Sequence, residues 1–213
     1  MPTSYVTRKE AAELSGASQA VINKAIEQKV VPTRRMKAGA LLDARDVPAL
    51  TLFTELAPFA LPVKQKKRLQ LWVREVTTAG AAAELILSPA LVVRLTEEIQ
   101  EAMRRAKRYV DLRERYVETN PRIRGGEPVI RGTRVPIRGL AKQIEAGETP
   151  EILREEYPDT PEEVFEFVTL WAKANPRRGR PAPPWEHGSS TKEPEDRAAL
   201  VESRKRRATQ STV

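Results

Sequence analysis

The chain has 213 residues, of which 31% are charged and only 5% aromatic, and its formal net charge is +8. It contains no cysteine, which excludes disulfides and cysteine-ligated zinc, and no apolar run near the length of about 20 residues that spans a bilayer. We therefore expect a cytoplasmic protein with one or two small domains and polar tails. The predicted fold is mainly α-helical with small β-hairpins.

The positive charge is unevenly distributed along the chain. Lysine and arginine minus aspartate and glutamate give +3 for residues 1–50, +3 for 51–119, −2 for 120–175 and +4 for 176–213. Basic segments attract phosphate or acidic protein surfaces, although an excess of this size also fits a role in solubility alone. We predict four parts with these boundaries, of which the last is a flexible arm.

Residues 1–50 have the pattern of a helix-turn-helix. Thr7 and Glu10 form a capping box, which predicts a first helix. Gly16 permits a tight turn, and Ser18 is placed to cap a second helix whose apolar positions recur at helical spacing. The alternative is an ordinary helical hairpin whose cations are only solvated.

A β-hairpin wing is predicted after the second helix, because Gly39 separates a basic run from the apolar residues Ala40–Leu42. The whole module resembles the winged helix-turn-helix of the MerR and excisionase type. Its exposed positions include no aromatic residue, which favours duplex DNA over a single strand. The residues expected to contact DNA are Arg8, Ser18, Gln19, Asn23, Lys24, Arg34, Arg35 and Lys37.

Residues 51–119 are predicted to form a connecting region of helices and short strands. A helix is expected over residues 63–76, with four cations near its start. Two buried strands are expected at 85–88 and 91–93, on either side of Pro89. A long helix then follows, and the cations on one of its faces are interpreted as solvated.

Residues 120–175 predict a β-hairpin followed by three helices. Gly125, Gly126 and Gly132 can supply the positive φ angles of turns between short strands near residues 122–123 and 129–130. Proline and capping signals predict three helix starts, at Pro136, Thr149-Pro150 and Thr160-Pro161.

Two stretches of this segment form a long signature, Gly126-Glu127-Pro128-Val129-Ile130-Arg131-Gly132-Thr133-Arg134 and Glu155-Glu156-Tyr157-Pro158. They closely resemble the domain-of-unknown-function 433 family. The resemblance implies a homeodomain-like three-helix fold after the hairpin. It also implies a place in toxin–antitoxin pairs of the VapB/VapC kind, in which the toxin is a PIN-like ribonuclease.

The third helix of this module is an unsuitable base reader. It is expected to begin with Glu162 and Glu163 and to add Glu166, and phosphates repel carboxylates on a groove-facing helix. We therefore assign the module to dimerisation or toxin contact, with a simple spacer as the alternative.

No residues indicate catalysis. His187, the single histidine, has no plausible nucleophile beside it, and no nucleotide-binding loop, HExxH or GxSxG pattern occurs. Arg131 and Arg134 lack P-loop spacing and are expected to bridge the hairpin and the helices through carboxylates of the same module, such as Glu155 or Glu156. We expect no enzyme activity, no cofactor and no metal.

Residues 176–213 are rich in proline, serine and charge, and cannot bury enough apolar area to fold alone. In the systems that the chain resembles, antitoxin arms wrap the toxin and place a basic side chain among its metal-binding carboxylates. A plain disordered tail is the alternative. The residues expected to bind toxin are Trp185, Leu200, Arg204, Lys205, Arg206 and Arg207.

The preferred interpretation is the antitoxin of a type II toxin–antitoxin system. Such a protein neutralises a PIN-like ribonuclease by direct binding and represses its own operon, as a homodimer or larger assembly on a two-fold-symmetric operator. The alternatives are a free-standing DNA-binding transcription regulator without a toxin, and a scaffold protein with no role at DNA.

Overall fold

The structure is a computed structural model that describes residues 5–36, 39–79 and 84–176. The chain divides into two units, residues 1–176 and 177–213, and the second lies outside the described residues. The described part is mainly helical with small antiparallel β-hairpins, which confirms the predicted fold class. None of its helices combines the length and the apolar character that crossing a membrane requires.

The described residues contain the following elements in chain order. The helices are α1 (Arg8–Ser15), α2 (Gln19–Glu27), α3 (Val47–Glu55), α4 (Val63–Ala79), α5 (Glu97–Tyr116), α6 (Ile137–Glu145), α7 (Pro150–Glu156) and α8 (Glu162–Ala174). The strands are β1 (Tyr5–Val6), β2 (Thr33–Met36), β3 (Gly39–Asp43), β4 (Glu84–Ser88), β5 (Leu91–Arg94), β6 (Val117–Glu118) and β7 (Val129–Ile130). Short 3-10 turns cover Ala44–Asp46, Ala57–Phe59 and Arg124–Gly126.

Local capping signals determine the N-terminal helices as predicted. The Thr7 hydroxyl accepts the Glu10 amide at 3.2 Å, and the Glu10 carboxylate accepts the Thr7 amide at 2.7 Å. Gly16 adopts a left-handed φ of 70°, and the Ser18 hydroxyl then caps α2. The three-stranded sheet has the order β1-β3-β2, with all pairs antiparallel.

The connecting region has the predicted helices and strands, with one addition. This addition is helix α3, which was not predicted. It begins at Val47, has Pro48 in its first turn and buries Leu50 and Phe53. Strands β4 and β5 pair antiparallel, but they are only half-buried, because Ile86 and Val92 face solvent. The prediction of two buried strands is therefore wrong, since only the face of Leu87 and Val93 is buried.

Two further details of residues 120–175 differ from the predictions. The partner of β7 is β6, not residues 122–123, because Asn120 starts a turn there: its carbonyl accepts the Ile123 amide at 2.8 Å. Helix α8 is capped by Pro161, whose ψ of 144° is extended, so Thr160 lies outside the helix and no side-chain cap forms. The three predicted helices are otherwise present as α6, α7 and α8.

A single hydrophobic core is shared by the first three predicted parts. Its buried residues come from 1–50, 51–119 and 120–175 alike, and α8 packs against α1, α5 and α6. The rings of Tyr109 and Phe167 illustrate this contact, with centroids 5.6 Å apart. The boundaries at residues 50 and 119 stay a prediction, but the segments they separate are packed together.

A buried carboxylate fixes α1 to α5 and α8. Glu10 is 2% exposed, and its Oε1 accepts the Tyr109 hydroxyl at 2.6 Å and Arg113 at 2.9 Å. Asn175, after α8, donates to the Tyr109 oxygen at 3.3 Å. Burial alone raises the pKa of Glu10, but the charge of Arg113 and hydrogen bonds from Thr7, Tyr109 and Arg113 outweigh it and lower that pKa.

Candidate nucleic-acid interface

Four of the predicted DNA-contacting residues lie together at the start of α1 and along the N-terminal half of α2. Arg8 Nη1 donates to Asn23 Oδ1 at 3.1 Å, and Gln19 Nε2 donates to the Arg8 carbonyl at 3.3 Å. Ser18 is exposed beside them, and its hydroxyl accepts the Val21 amide at 3.3 Å. These residues form one polar patch, which combines a guanidinium, two carboxamides and a helix N-terminus.

The exposed face of α2 continues this patch. Ala20, Lys24 and Glu27 are all exposed there, while Ile22 on the opposite face is fully buried. Lys24 also lines a cavity of about 280 Å³ together with Lys66 of α4. Lys66, one of the four cations at the start of α4, thus lies near the predicted interface.

The hairpin β2–β3 presents its two arginines on opposite faces, because side chains alternate along a strand. The register places Arg35 on the same face as the buried Leu42, and Arg34 on the other face. The Arg34 guanidinium lies 5.6 Å from the ring centroid of Tyr5. Lys37, the third predicted cation of this hairpin, lies outside the described residues.

The carboxylates at the end of β3 are neutralised by arginines. Asp43 accepts Arg45 through two oxygens, the shortest distance being 2.6 Å. Burial raises the pKa of Asp43, but the hydrogen bonds and charge of Arg45 and the charge of Arg74 lower it overall. Asp46, which is fully buried, accepts Arg74 at 2.6 Å and Gln70 at 2.7 Å. These acids therefore add little repulsion towards phosphate.

Lys29, the second residue after α2, is exposed and has a backbone conformation that favours glycine. Lys29 has a φ of 52°, and the Val30 amide reaches back to the Ala25 carbonyl at 2.9 Å, as in a Schellman motif. We expect Lys29→Gly to raise the free energy of unfolding by about 0.5–1 kcal/mol, because it removes left-handed strain. Urea denaturation measures this change. Lys29→Ala removes the same charge but keeps the strain, so a gain in stability from alanine as well would contradict the explanation.

The acidic helix α8 pairs its carboxylates with cations of neighbouring helices. Its buried residues lie on more than one side, since it packs against α1, α5 and α6. Little of its surface is therefore left for a DNA groove. The ion pairs are Arg154–Glu162 at 3.1 Å, Arg115–Glu163 at 3.3 Å and Arg108–Glu166 at 3.1 Å.

The signature residue Arg131 caps the C-terminal end of α5 and does not pair with Glu155 or Glu156. Its guanidinium donates to the carbonyl oxygens of Glu114, Arg115 and Val117 at 2.9–3.0 Å. The carbonyls of Glu114 and Arg115 lie in the last turn of α5, where no later helical amide reaches them, so the arginine satisfies them. The predicted pairing of Arg131 is therefore wrong. Arg134 is exposed.

The predicted toxin-contacting residues cannot be placed, because all of them lie outside the described residues: Trp185, Leu200, Arg204, Lys205, Arg206 and Arg207. His187 lies there too. Within the described ranges, no three or more histidine, aspartate or glutamate side chains converge on a position that could hold a metal ion.

Comparison with known proteins gives one match in structure and one in sequence. The X-ray crystal structure of Rv2018 from Mycobacterium tuberculosis is similar at 13% sequence identity and a TM-score of 0.39, over 79% of this chain and 97% of that chain. No curated protein matches the chain. Residues 117–169 match the family described as "Protein of unknown function (DUF433)", which confirms the resemblance over that segment.

Proposed function

We propose that this chain is the antitoxin of a type II toxin–antitoxin pair. It neutralises a PIN-like ribonuclease by direct binding and represses its own operon by binding DNA. Two observations carry the DNA-binding part: the patch of Arg8, Gln19 and Asn23, and a following hairpin with two exposed arginines.

The DNA-binding part of the proposal assigns α1 and α2 to a helix-turn-helix and β2–β3 to its wing. Carboxamides such as those of Gln19 and Asn23 can donate to and accept from one adenine edge, whereas Arg8 and the hairpin arginines suit phosphates. The hydrogen bond from Arg8 orients the Asn23 amide before any DNA arrives. This restriction lowers the entropy cost of binding.

The second module, α6 to α8, is proposed to have a homeodomain-like fold that contacts protein and not bases. The composition of α8 supports this assignment, because the helix carries Glu162, Glu163 and Glu166 and has no cation before Lys173 that could meet a phosphate. Residues 117–169 match the DUF433 family. The toxin–antitoxin part of the proposal rests on what the resemblance to that family implies.

The partner is tested by co-expression with the neighbouring reading frame. If that frame encodes the toxin, the two proteins are expected to purify as one complex, and RNA cleavage by the toxin is expected to stop on addition of this chain. DNA binding without any such complex favours the free-standing transcription regulator.

Operator binding is expected to weaken in Arg34→Ala and in Arg35→Ala. The slope of log K against log salt is negative, and each lost phosphate contact reduces its magnitude by about 0.9. Because the two side chains lie on opposite faces of the hairpin, we expect unequal effects. A gel-shift titration at several salt concentrations measures both.

Arg154→Ala is the control for this titration, since Arg154 is half exposed but lies on α7, outside the candidate interface. If both hairpin variants bind operator DNA like the wild type, the wing assignment is wrong.

A further inference from the structure

The hairpin β4–β5 has an apolar pair on its exposed face. Side chains alternate, so Leu87 and Val93 are buried, whereas Ile86 and Val92 are 63% and 44% exposed. Ile86 and Val92 are directly opposite each other in the register. Adjacent β-branched side chains on paired strands form one continuous apolar surface. In the described part of the chain, that surface is open to solvent.

A charged pair borders this surface. Glu84 and Arg94 are cross-strand partners on the same face, and Arg94 Nε lies 2.8 Å from Glu84 Oε1. Their side chains are 54% and 74% exposed. Glu84 is on β4 and Arg94 is on β5, so each strand of the hairpin presents one charge of opposite sign on this face. Such a face is complementary to its own two-fold copy.

We infer that this face joins two copies of the chain in a symmetric dimer. A two-fold axis parallel to the strands, midway between two facing hairpins, places β4 of one copy over β5 of the other. Each Glu84 then lies opposite the Arg94 of the second copy, and each Ile86 lies opposite its Val92. Every contact is made twice, and sheets pack face to face in this way in β-sandwiches.

Arg68 favours this face over edge-to-edge pairing. Its guanidinium donates from α4 to the carbonyl oxygens of Ile86 at 2.9 Å and Leu87 at 3.3 Å. Those carbonyls are therefore occupied, which hinders the addition of another strand at that edge. The same two hydrogen bonds hold the hairpin on α4, so little conformational freedom is lost when its outer face is covered.

The inference goes beyond DNA binding, because self-association requires neither operator nor toxin. It also gives the proposed repressor the two-fold symmetry that a palindromic operator demands. The two ideas can fail separately, since association is measured without DNA.

Sedimentation velocity of the full chain, without DNA or a partner protein, tests the dimer. The wild type is expected to show concentration-dependent dimerisation. Ile86→Lys and Val92→Lys are each expected to raise the dimer dissociation constant at least about tenfold, because an ammonium group must be desolvated at two symmetric positions. Circular dichroism melting verifies that each variant is folded.

Phe59→Lys is the matched control, because Phe59 is 61% exposed but belongs to a 3-10 turn outside the hairpin. It is expected to leave the dissociation constant unchanged. Charge reversal gives an independent check that spares the apolar pair. Glu84→Arg or Arg94→Glu alone weakens the dimer, whereas the two together restore it, because opposite charges face each other again.

A wild type that stays monomeric at every measurable concentration overturns the inference. So does a dimer whose dissociation constant is the same in the wild type, Ile86→Lys and Val92→Lys. If the dimer forms and weakens as expected while operator DNA is not bound, the DNA-binding proposal is wrong and the dimer surface stands.

Discussion

Glu10→Ala is expected to lower the free energy of unfolding by about 3–5 kcal/mol, since it removes one partner of a buried ion pair. Arg113 and Tyr109 both donate to the Glu10 carboxylate, and its side chain is 3% exposed. Burial, followed by the charge of Glu10, raises the pKa of Tyr109, so its hydroxyl stays protonated and donates. Urea denaturation at neutral pH measures the loss.

The effect should depend on pH in a defined direction. The pKa of Glu10 is lowered in the folded state, so its contribution to stability is present above the unfolded pKa of about 4.3 and is lost as the pH falls through the folded value. The stability difference between the wild type and Glu10→Ala should therefore shrink in acid. A difference that stays constant down to low pH would contradict the ion pair.

Glu166→Ala is the control for Glu10→Ala. Glu166 also pairs with an arginine, Arg108, but the two side chains are 74% and 60% exposed. Solvent screens such pairs, so the stability should hardly change. Equal losses in the two variants would show that burial is not the reason.

Deletion of residues 177–213 is expected to abolish neutralisation of the toxin, under the proposed function. This part carries Trp185 and the basic residues 204–207, which are assigned to toxin contact. The measurement is RNA cleavage by the co-purified toxin, with either the full chain or the truncated chain added. Inhibition by the truncated chain that equals that by the full chain rejects the arm as the inhibitory element.

The truncation has an internal control. Residues 1–176 form a compact unit of their own, so the shortened chain is expected to keep its melting temperature and its operator binding. Trp185→Ala and a variant with alanine at positions 204–207 then separate the apolar anchor from the charges. Loss of inhibition together with loss of the fold would leave the arm's role unsupported.

The sequence predicted those elements that are determined within one turn of chain. Thr7 and Ser18 cap helices because their partners, the amides of Glu10 and Val21, are three residues away. The strand that pairs with Val129–Ile130 was missed for the opposite reason. Its identity depends on where α5 ends, and Arg131 determines that end by binding carbonyls 14–17 residues earlier.

Long-range contacts also limited the prediction of the candidate site. The residue types at Arg8, Gln19 and Asn23 were identified, but their mutual hydrogen bonds depend on how α1 and α2 cross. The neutralisation of Asp46 depends on Arg74, which is 28 residues away on α4. The Glu10 capping box was recognised, yet its partners Tyr109 and Arg113 are about a hundred residues further along the chain.

The packing of α8 limits how the DUF433 segment can be transplanted. Phe167 lies against Tyr109 of α5, and Trp171 and Ala174, beyond the matched residues 117–169, are buried as well. A graft of the matched residues alone would expose the Phe167 ring to water, because Tyr109 is missing, and it would lack Trp171 and Ala174, which complete the buried surface of α8. The segment that would have to be transferred is thus larger than the recognisable motif. It includes α5 and α1, which pack against α8 and precede the motif in the chain.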